Sequence, residues 1–183
     1  MNLNKCTDLI LDSDVIISFI KGGKINDIDK IFPNRLLVTD VVIEELKNKK
    51  WNNQPCYDHI LELIEIDRIK IVPATVDPYL LEDYMHLKKT HGKGESMSMA
   101  YCKKYSACLC SSNYTDISQY SLKHHLVVIP ILDFVFYAYK YGIWNIADAD
   151  YFIYEIAKKG DFIPHLSSIK DYTPKQELIL EIS

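Results

Sequence analysis

The strongest constraint on this chain is a repeated unit: a short apolar run that stops at a polar or acidic turn and gives way to apolar residues at helical spacing. Leu9-Ile10-Leu11 ends abruptly in Asp12-Ser13-Asp14, after which Val15, Ile16, Phe19 and Ile20 recur at a helical period until Gly22-Gly23. Arg35 to Val38 is again apolar. Thr39-Asp40 then offers a cap, and Val42, Ile43 and Leu46 share one helical face that runs out in Lys47-Asn48-Lys49-Lys50. A polar connection from Trp51 to Pro55 leads to a helical segment bearing Ile60, Leu63 and Ile64, then to a short strand from Lys70 to Val72 that Pro73 closes. Asp77-Pro78 opens a helix with Leu80, Leu81, Tyr84 and Leu87 inward.

The later half keeps the same rhythm. After Thr90-His91-Gly92-Lys93-Gly94, a helix from Glu95 carries Met99 and Cys102 on one face, and Ala107 to Cys110 reads as a buried strand. Ser111-Ser112-Asn113 interrupts it, and a further helical segment starts near Asp116. Leu126 to Ile129 is the last strand, followed by helices over Leu132 to Tyr141 and Asp148 to Lys159. Strands alternating with helices predict a three-layer α/β fold around a mainly parallel sheet of about five strands. In such sheets, ligands bind just beyond the carboxyl ends of the strands. A length of 183 residues fits one domain, placed at 1–160, with a C-terminal tail over 161–183 expected to pack on it.

Composition narrows the partners. Lys plus Arg total 21 against 25 Asp plus Glu, a formal net charge of −4, so no global basic field announces a nucleic-acid binder. Any such binding must be local or mediated by metal. Five cysteines without a repeated Cys-x-x-Cys pair read as free thiols of a reducing compartment. The start lacks the apolar stretch of a signal peptide, and the most apolar window, Leu126 to Tyr139, is broken by Pro130 and Asp133. The expectation is a soluble, cytoplasmic protein with no membrane association.

Asp12, Glu45, Glu95 and Asp116 each stand at a strand-to-helix transition or on the helix that follows one. Taken singly, such a residue is usually a cap or a solvated acid. Brought together, four acids would repel one another and acquire raised pKa values unless a cation neutralised them. Carboxylates without Cys or His in the set suit a hard, oxygen-preferring ion, Mg²⁺ or Mn²⁺. An ion of that kind lowers the pKa of a bound water and offsets charge developing on a phosphate. Glu95 falls in the first turn of its helix, where the macrodipole is expected to keep it ionised.

These residues carry a family resemblance. Leu9-Ile10-Leu11-Asp12-Ser13-Asp14-Val15 resembles the opening of PIN domains, in which an Asp ends the first strand and a Ser or Thr follows. Val38 to Leu46 resembles the second motif, where the Glu just before Leu, here Glu45, is the site acid. Gly92-Lys93-Gly94-Glu95-Ser96-Met97-Ser98-Met99-Ala100 resembles the Gly-x-Gly-Glu-Ser-x-x-x-Ala third motif of a bacterial and archaeal branch related to VapC-type toxins. Ser111 to Ile117 resembles the fourth, with Asn113 where many members carry an Asp. Over Leu9 to Gly160 the resemblance implies an α/β ribonuclease with Mg²⁺ or Mn²⁺ held by Asp12, Glu45, Glu95 and Asp116, and with Ser13 and Asn113 orienting those ligands. It further implies RNA as substrate, an antitoxin protein as partner and a homodimer.

Two other functions fit parts of the pattern. Asn113 brings no charge, which motivates a degenerate scaffold that binds or regulates. The Asp12-Ser13-Asp14 segment also resembles the nucleophile motif of haloacid-dehalogenase-type phosphatases, but the late Asp pair of that family is missing at Ser111-Ser112-Asn113 and at Gly160-Asp161-Phe162. Lysines at 47, 49 and 50, at 88, 89 and 93, and at 103 and 104 are either solvated helix ends or phosphate contacts. Gly92-Lys93-Gly94 lacks the P-loop pattern. Cys108 and Cys110 alternate along a strand as buried residues do, and the aromatic run from Phe134 to Trp144 reads as core or interface.

Overall fold

The five apolar runs are strands, and the helical stretches between them helices, in a computed structural model that describes residues 7–161 and 166–175. The first half comprises β1 (Asp8–Leu11), α1 (Ser13–Lys21), β2 (Arg35–Thr39), α2 (Asp40–Asn48), β3 (Lys50–Trp51), β4 (Gln54–Pro55), α3 (Leu61–Glu65) and β5 (Ile69–Val72). The second comprises α4 (Pro78–Leu87), α5 (Lys93–Tyr105), β6 (Cys108–Cys110), α6 (Tyr114–His124), β7 (Val128–Ile129), α7 (Ile131–Lys140) and α8 (Ile146–Lys158).

Five strands form one parallel sheet in the order β5-β2-β1-β6-β7, so β1 is central. Its residues alternate between two cores, as the period of two requires. Leu9, Leu11, Leu36, Val38, Cys108, Cys110 and Ile129 face the core shared with α1, α7 and α8. Ile10, Leu37, Leu109 and Val128 face the other, with α4, α5 and α6. Burial on both faces makes this an α/β sandwich of three layers, with the sheet in the middle.

Parallel register aligns the carboxyl ends. Leu11 pairs with Cys110, and Thr39 with Val72, which brings the turns after β1, β2 and β6 to one rim. Polar caps start the helices there. Asp12 caps α1 through the Ser13 N–H at 2.8 Å, and Thr39 Oγ1 accepts from the Val42 N–H at 3.3 Å. Helix α5 begins at Lys93, two residues before the sequence expectation, because Gly92 takes the N-cap position. From Gly94 to Ala100 every residue of α5 is buried.

The aromatic run resolves mainly into core. Phe19 lies 5.6 Å from Phe134, 6.1 Å from Trp144 and 5.4 Å from Phe152, ring centroid to centroid, in tilted or edge-on pairs. Each such pair contributes about 0.5–1.5 kcal/mol beyond the area it buries. The segment after α2, read from sequence as a polar connection from Trp51 to Pro55, is a two-residue hairpin: β3 pairs with β4 across Asn52 and Asn53, both with positive φ. Beyond α8, Ile169 is buried and its N–H donates to Asp150 Oδ1 at 2.8 Å. Tyr172 Oη donates to Asp133 Oδ1 at 2.6 Å. The rest of the expected tail, 162–165 and 176–183, lies outside the described residues.

Cys56, Cys102 and Cys110 are buried free thiols. Cys108 is disulfide-bonded, which corrects the expectation of five free thiols: an odd count still leaves room for one pair. Among the described residues, no helix is long and apolar enough to cross a membrane.

Candidate active site

The residue that ends the central strand is the deepest acid of the rim. Asp12 is 4% exposed, its N–H donates to Cys110 O at 2.9 Å, and its Oδ1 accepts from Ser13. Burial pushes its carboxyl well above the ordinary carboxylate range. The charges of Asp14, Glu95 and Glu45 push it further, against the Ser13 hydrogen bond. Asp14, Glu45 and Glu95 are therefore close enough to act on Asp12 electrostatically.

Glu45 reaches the rim from α2 and is pinned there. Its Oε1 accepts the Gly94 N–H at 2.8 Å, tying the second motif to the third. A Cβ at position 94 would stand 2.6 Å from Glu45 Oε2 and 3.0 Å from Val42 Cγ2, so the second glycine of the Gly-Lys-Gly loop makes room for the carboxylate.

Glu95 is 8% exposed in the first turn of α5. Burial raises its pKa, with Asp116 and Asp14 adding to the rise, while His91 and the Asn113 amide oppose it. The N-terminal end of α5 favours the ionised form against that burial.

Asn113 joins two acids. Its Nδ2 donates to Glu95 Oε1 at 3.0 Å and to Asp116 Oδ2 at 2.7 Å. Asp116 is exposed, and its carbonyl oxygen faces His91 Nε2 at 3.0 Å, so that ring nitrogen must carry the hydrogen. Ser13 lies one residue past Asp12, with its hydroxyl 3.4 Å from Lys49 Nζ.

Asp14 is the acid that sequence reasoning left out of this set. Its Oδ2 accepts from the Ser112 N–H at 2.7 Å and from Ser111 Oγ at 3.3 Å, and its Oδ1 accepts from the Val15 N–H at 2.7 Å. Burial raises its pKa, and these donors offset part of the rise. The signal was present as the second acid of Asp-Ser-Asp. What it holds, the turn after β6, is 97 residues away in sequence and becomes visible only once β6 lies beside β1. His91 escaped notice for the same reason, whereas Lys49 was read only as one of several lysines open to a phosphate contact.

The donor chemistry fits a hard divalent cation. The acids that act on Asp12 are all carboxylates, and such repulsion is the kind a cation offsets. Among the described residues, no three acidic, histidine or cysteine side chains already converge as a metal cage. Glu45 is engaged by Gly94, and the Asn113 amide stands between Glu95 and Asp116.

Comparisons with known proteins add a limited likeness. No protein-family model and no curated protein matches the chain. Solved structures do match. One is a chain from the structure of VapBC-1 from nontypeable Haemophilus influenzae, 18% identical, aligned over 68% of this chain and 98% of that one, with a TM-score of 0.49.

Proposed function

We propose that the chain is a PIN-type endoribonuclease that hydrolyses RNA phosphodiesters with Mg²⁺ or Mn²⁺, and that it acts in the cytoplasm as the toxin of a toxin–antitoxin pair, as a homodimer. The observation that carries this reading is the buried Asp12, at the carboxyl end of the central strand, with Asp14, Glu95 and Glu45 all raising its pKa. Folding tolerates such repulsion at functional sites, where a bound cation offsets it. The order of the four motifs supports the family reading, and the acidic rim supports the chemistry.

Asp12, Glu45, Glu95 and Asp116 would hold the ion. When bound, it supplies a more acidic water and offsets charge on the phosphodiester. Asp12 offers its second oxygen, since only Oδ1 is engaged by the chain. The Gly94 N–H keeps Glu45 aimed at the rim, and the Asn113 amide spaces Glu95 from Asp116. Asp14 is a positioning group: through Ser111 and Ser112 it holds the turn that bears Asn113. That engagement also speaks against the phosphatase reading, in which Asp14 would act as acid and base, because both of its oxygens already accept hydrogen bonds.

Asn113 in place of a fourth-motif acid favours one second reading, a scaffold that keeps the rim but binds rather than cleaves. One experiment separates the two. The purified protein is incubated with a mixed pool of short RNAs in Mn²⁺, in EDTA, and as the Asp12→Asn variant. Cleavage that requires both the metal and Asp12 supports the nuclease. Equal inertness of folded wild type and variant supports the scaffold.

A further inference from the structure

The fold sorts the lysines that cluster in sequence into those with an ion pair and those without, the latter being Lys49, Lys50, Lys88, Lys89 and Lys93 among the described residues. Lys47 pairs with Glu44 at 3.0 Å, Lys103 with Asp83 at 2.6 Å and Lys104 with Asp77 at 2.5 Å. These three are neutralised by neighbouring acids. Lys49 is different: among the described residues no carboxylate lies within ion-pair distance of its Nζ, whose polar neighbour is Ser13 Oγ at 3.4 Å. An uncompensated ammonium therefore stands one residue from Asp12.

Its placement is rigid. The Lys49 N–H donates to Glu45 O at 2.9 Å, and its carbonyl accepts the Cys56 N–H at 2.8 Å, where the β3–β4 hairpin closes. Lys49 follows Glu45 by four residues, so the end of α2 delivers an acid and a base to the same side of the rim. The residue is exposed, so a ligand can reach it.

A phosphodiester approaching this rim meets carboxylates that repel it. A cation not spent on a protein acid is the group that makes approach favourable, and an ammonium serves as a point charge on one phosphate oxygen. We propose that Lys49 is a substrate-contact residue that binds a backbone phosphate of the RNA strand beside Asp12. The inference rests on the nuclease reading of the rim and adds the residue that draws the strand to it.

The test is binding of a fluorescein-labelled single-stranded RNA, followed by anisotropy against NaCl, in Ca²⁺ and in EDTA. Wild type is compared with Lys49→Gln, Lys49→Arg and the control Lys47→Gln. In whichever buffer wild type binds, Lys49→Gln is expected to weaken binding on the order of tenfold and to flatten the salt slope by about 0.7, one single-strand phosphate contact. Lys49→Arg should restore both, and Lys47→Gln should change neither. In cleavage assays the loss should appear in KM more than in kcat, with Mn²⁺ affinity unchanged. An unchanged salt slope in Lys49→Gln, an equal loss in Lys47→Gln, or no RNA binding by wild type in either buffer would overturn the proposal. RNA that binds through Lys49 but is never cleaved overturns the nuclease reading instead, and leaves the contact standing.

Discussion

The Gly94 N–H donates to Glu45 Oε1 at 2.8 Å, while a Cβ at Gly94 would fall 2.6 Å from Oε2 of the same carboxylate. One backbone position both anchors the acid and leaves it room. In Gly94→Ala the clash falls chiefly on the far end of a flexible side chain, so Glu45 swings aside and the helix survives. Ala is also the better helix former by about 1 kcal/mol. The variant is expected to melt at or above the wild-type temperature yet lose on the order of 100-fold in RNA cleavage, the scale of a roughly 1 Å misplacement. Paired melting and rate measurements check it; a normal rate would remove Glu45 from the site.

Burial and like charge hold the Asp12 carboxyl above its ordinary 3.8 in the folded chain. Between pH 3.8 and that raised value, the folded protein keeps a proton that the unfolded chain has released. Stability of the metal-free protein therefore falls as pH rises through this window, and the loss persists above it. Asp12→Asn removes the loss. Without metal it should melt higher than wild type at neutral pH. The gap should close as pH falls toward 3.8, and thermal melts across pH in EDTA read it directly.

How much of this was legible in the sequence follows from the range of each interaction. The strand-to-helix order was readable because β1, β2 and β6 are buried on both faces and so stand as unbroken apolar runs. Asp12 and Glu45 were candidates because each follows such a run at a short offset, and Glu95 because it stands in the Gly-Lys-Gly-Glu-Ser motif that opens α5. The β3–β4 hairpin was not, since two-residue strands carry no period, although Asn52-Asn53 is a pair suited to the positive φ angles such turns require. Asp14 and His91 were hidden, and Lys49 was one candidate lysine among several, because what they touch, Ser112, Asp116 and Ser13, reaches them only through the fold.

Asn113 is the departure from the fourth motif with the most to test. Its amide donates to Glu95 and to Asp116, so Asn113→Asp deletes two hydrogen bonds and sets a third carboxylate between two others. Without metal the change should lower the melting temperature at neutral pH, because like charges concentrate where Glu95 is already raised by burial. With Mn²⁺ the order should reverse. An added charged oxygen ligand is expected to tighten Mn²⁺ binding on the order of tenfold. Calorimetric titration of both proteins decides it, and equal affinities would mean that position 113 does not face the ion.

A last expectation concerns the segment beyond α8, at a distance from the acidic rim. Asp133, fully buried in the first turn of α7, accepts from Tyr172 Oη at 2.6 Å and from the Lys175 N–H at 3.0 Å. The tyrosine's own pKa is raised, by burial first and then by this carboxylate, as expected of a phenol donating to an acid. Tyr172→Phe keeps the ring against Phe136 but deprives a buried carboxylate of one donor. The expected cost is about 1.5–3 kcal/mol, the range for one hydrogen bond to a charged group, and urea unfolding measures it. The same α7 turn also meets the site, since the Ile131 N–H donates to Ser112 Oγ at 3.2 Å and Ser112 in turn holds Asp14. If Tyr172→Phe lowers stability while the cleavage rate of the folded fraction stays unchanged, residues 169–175 serve the fold alone. A fall in that rate would make the path through Ser112 to Asp14 a functional one.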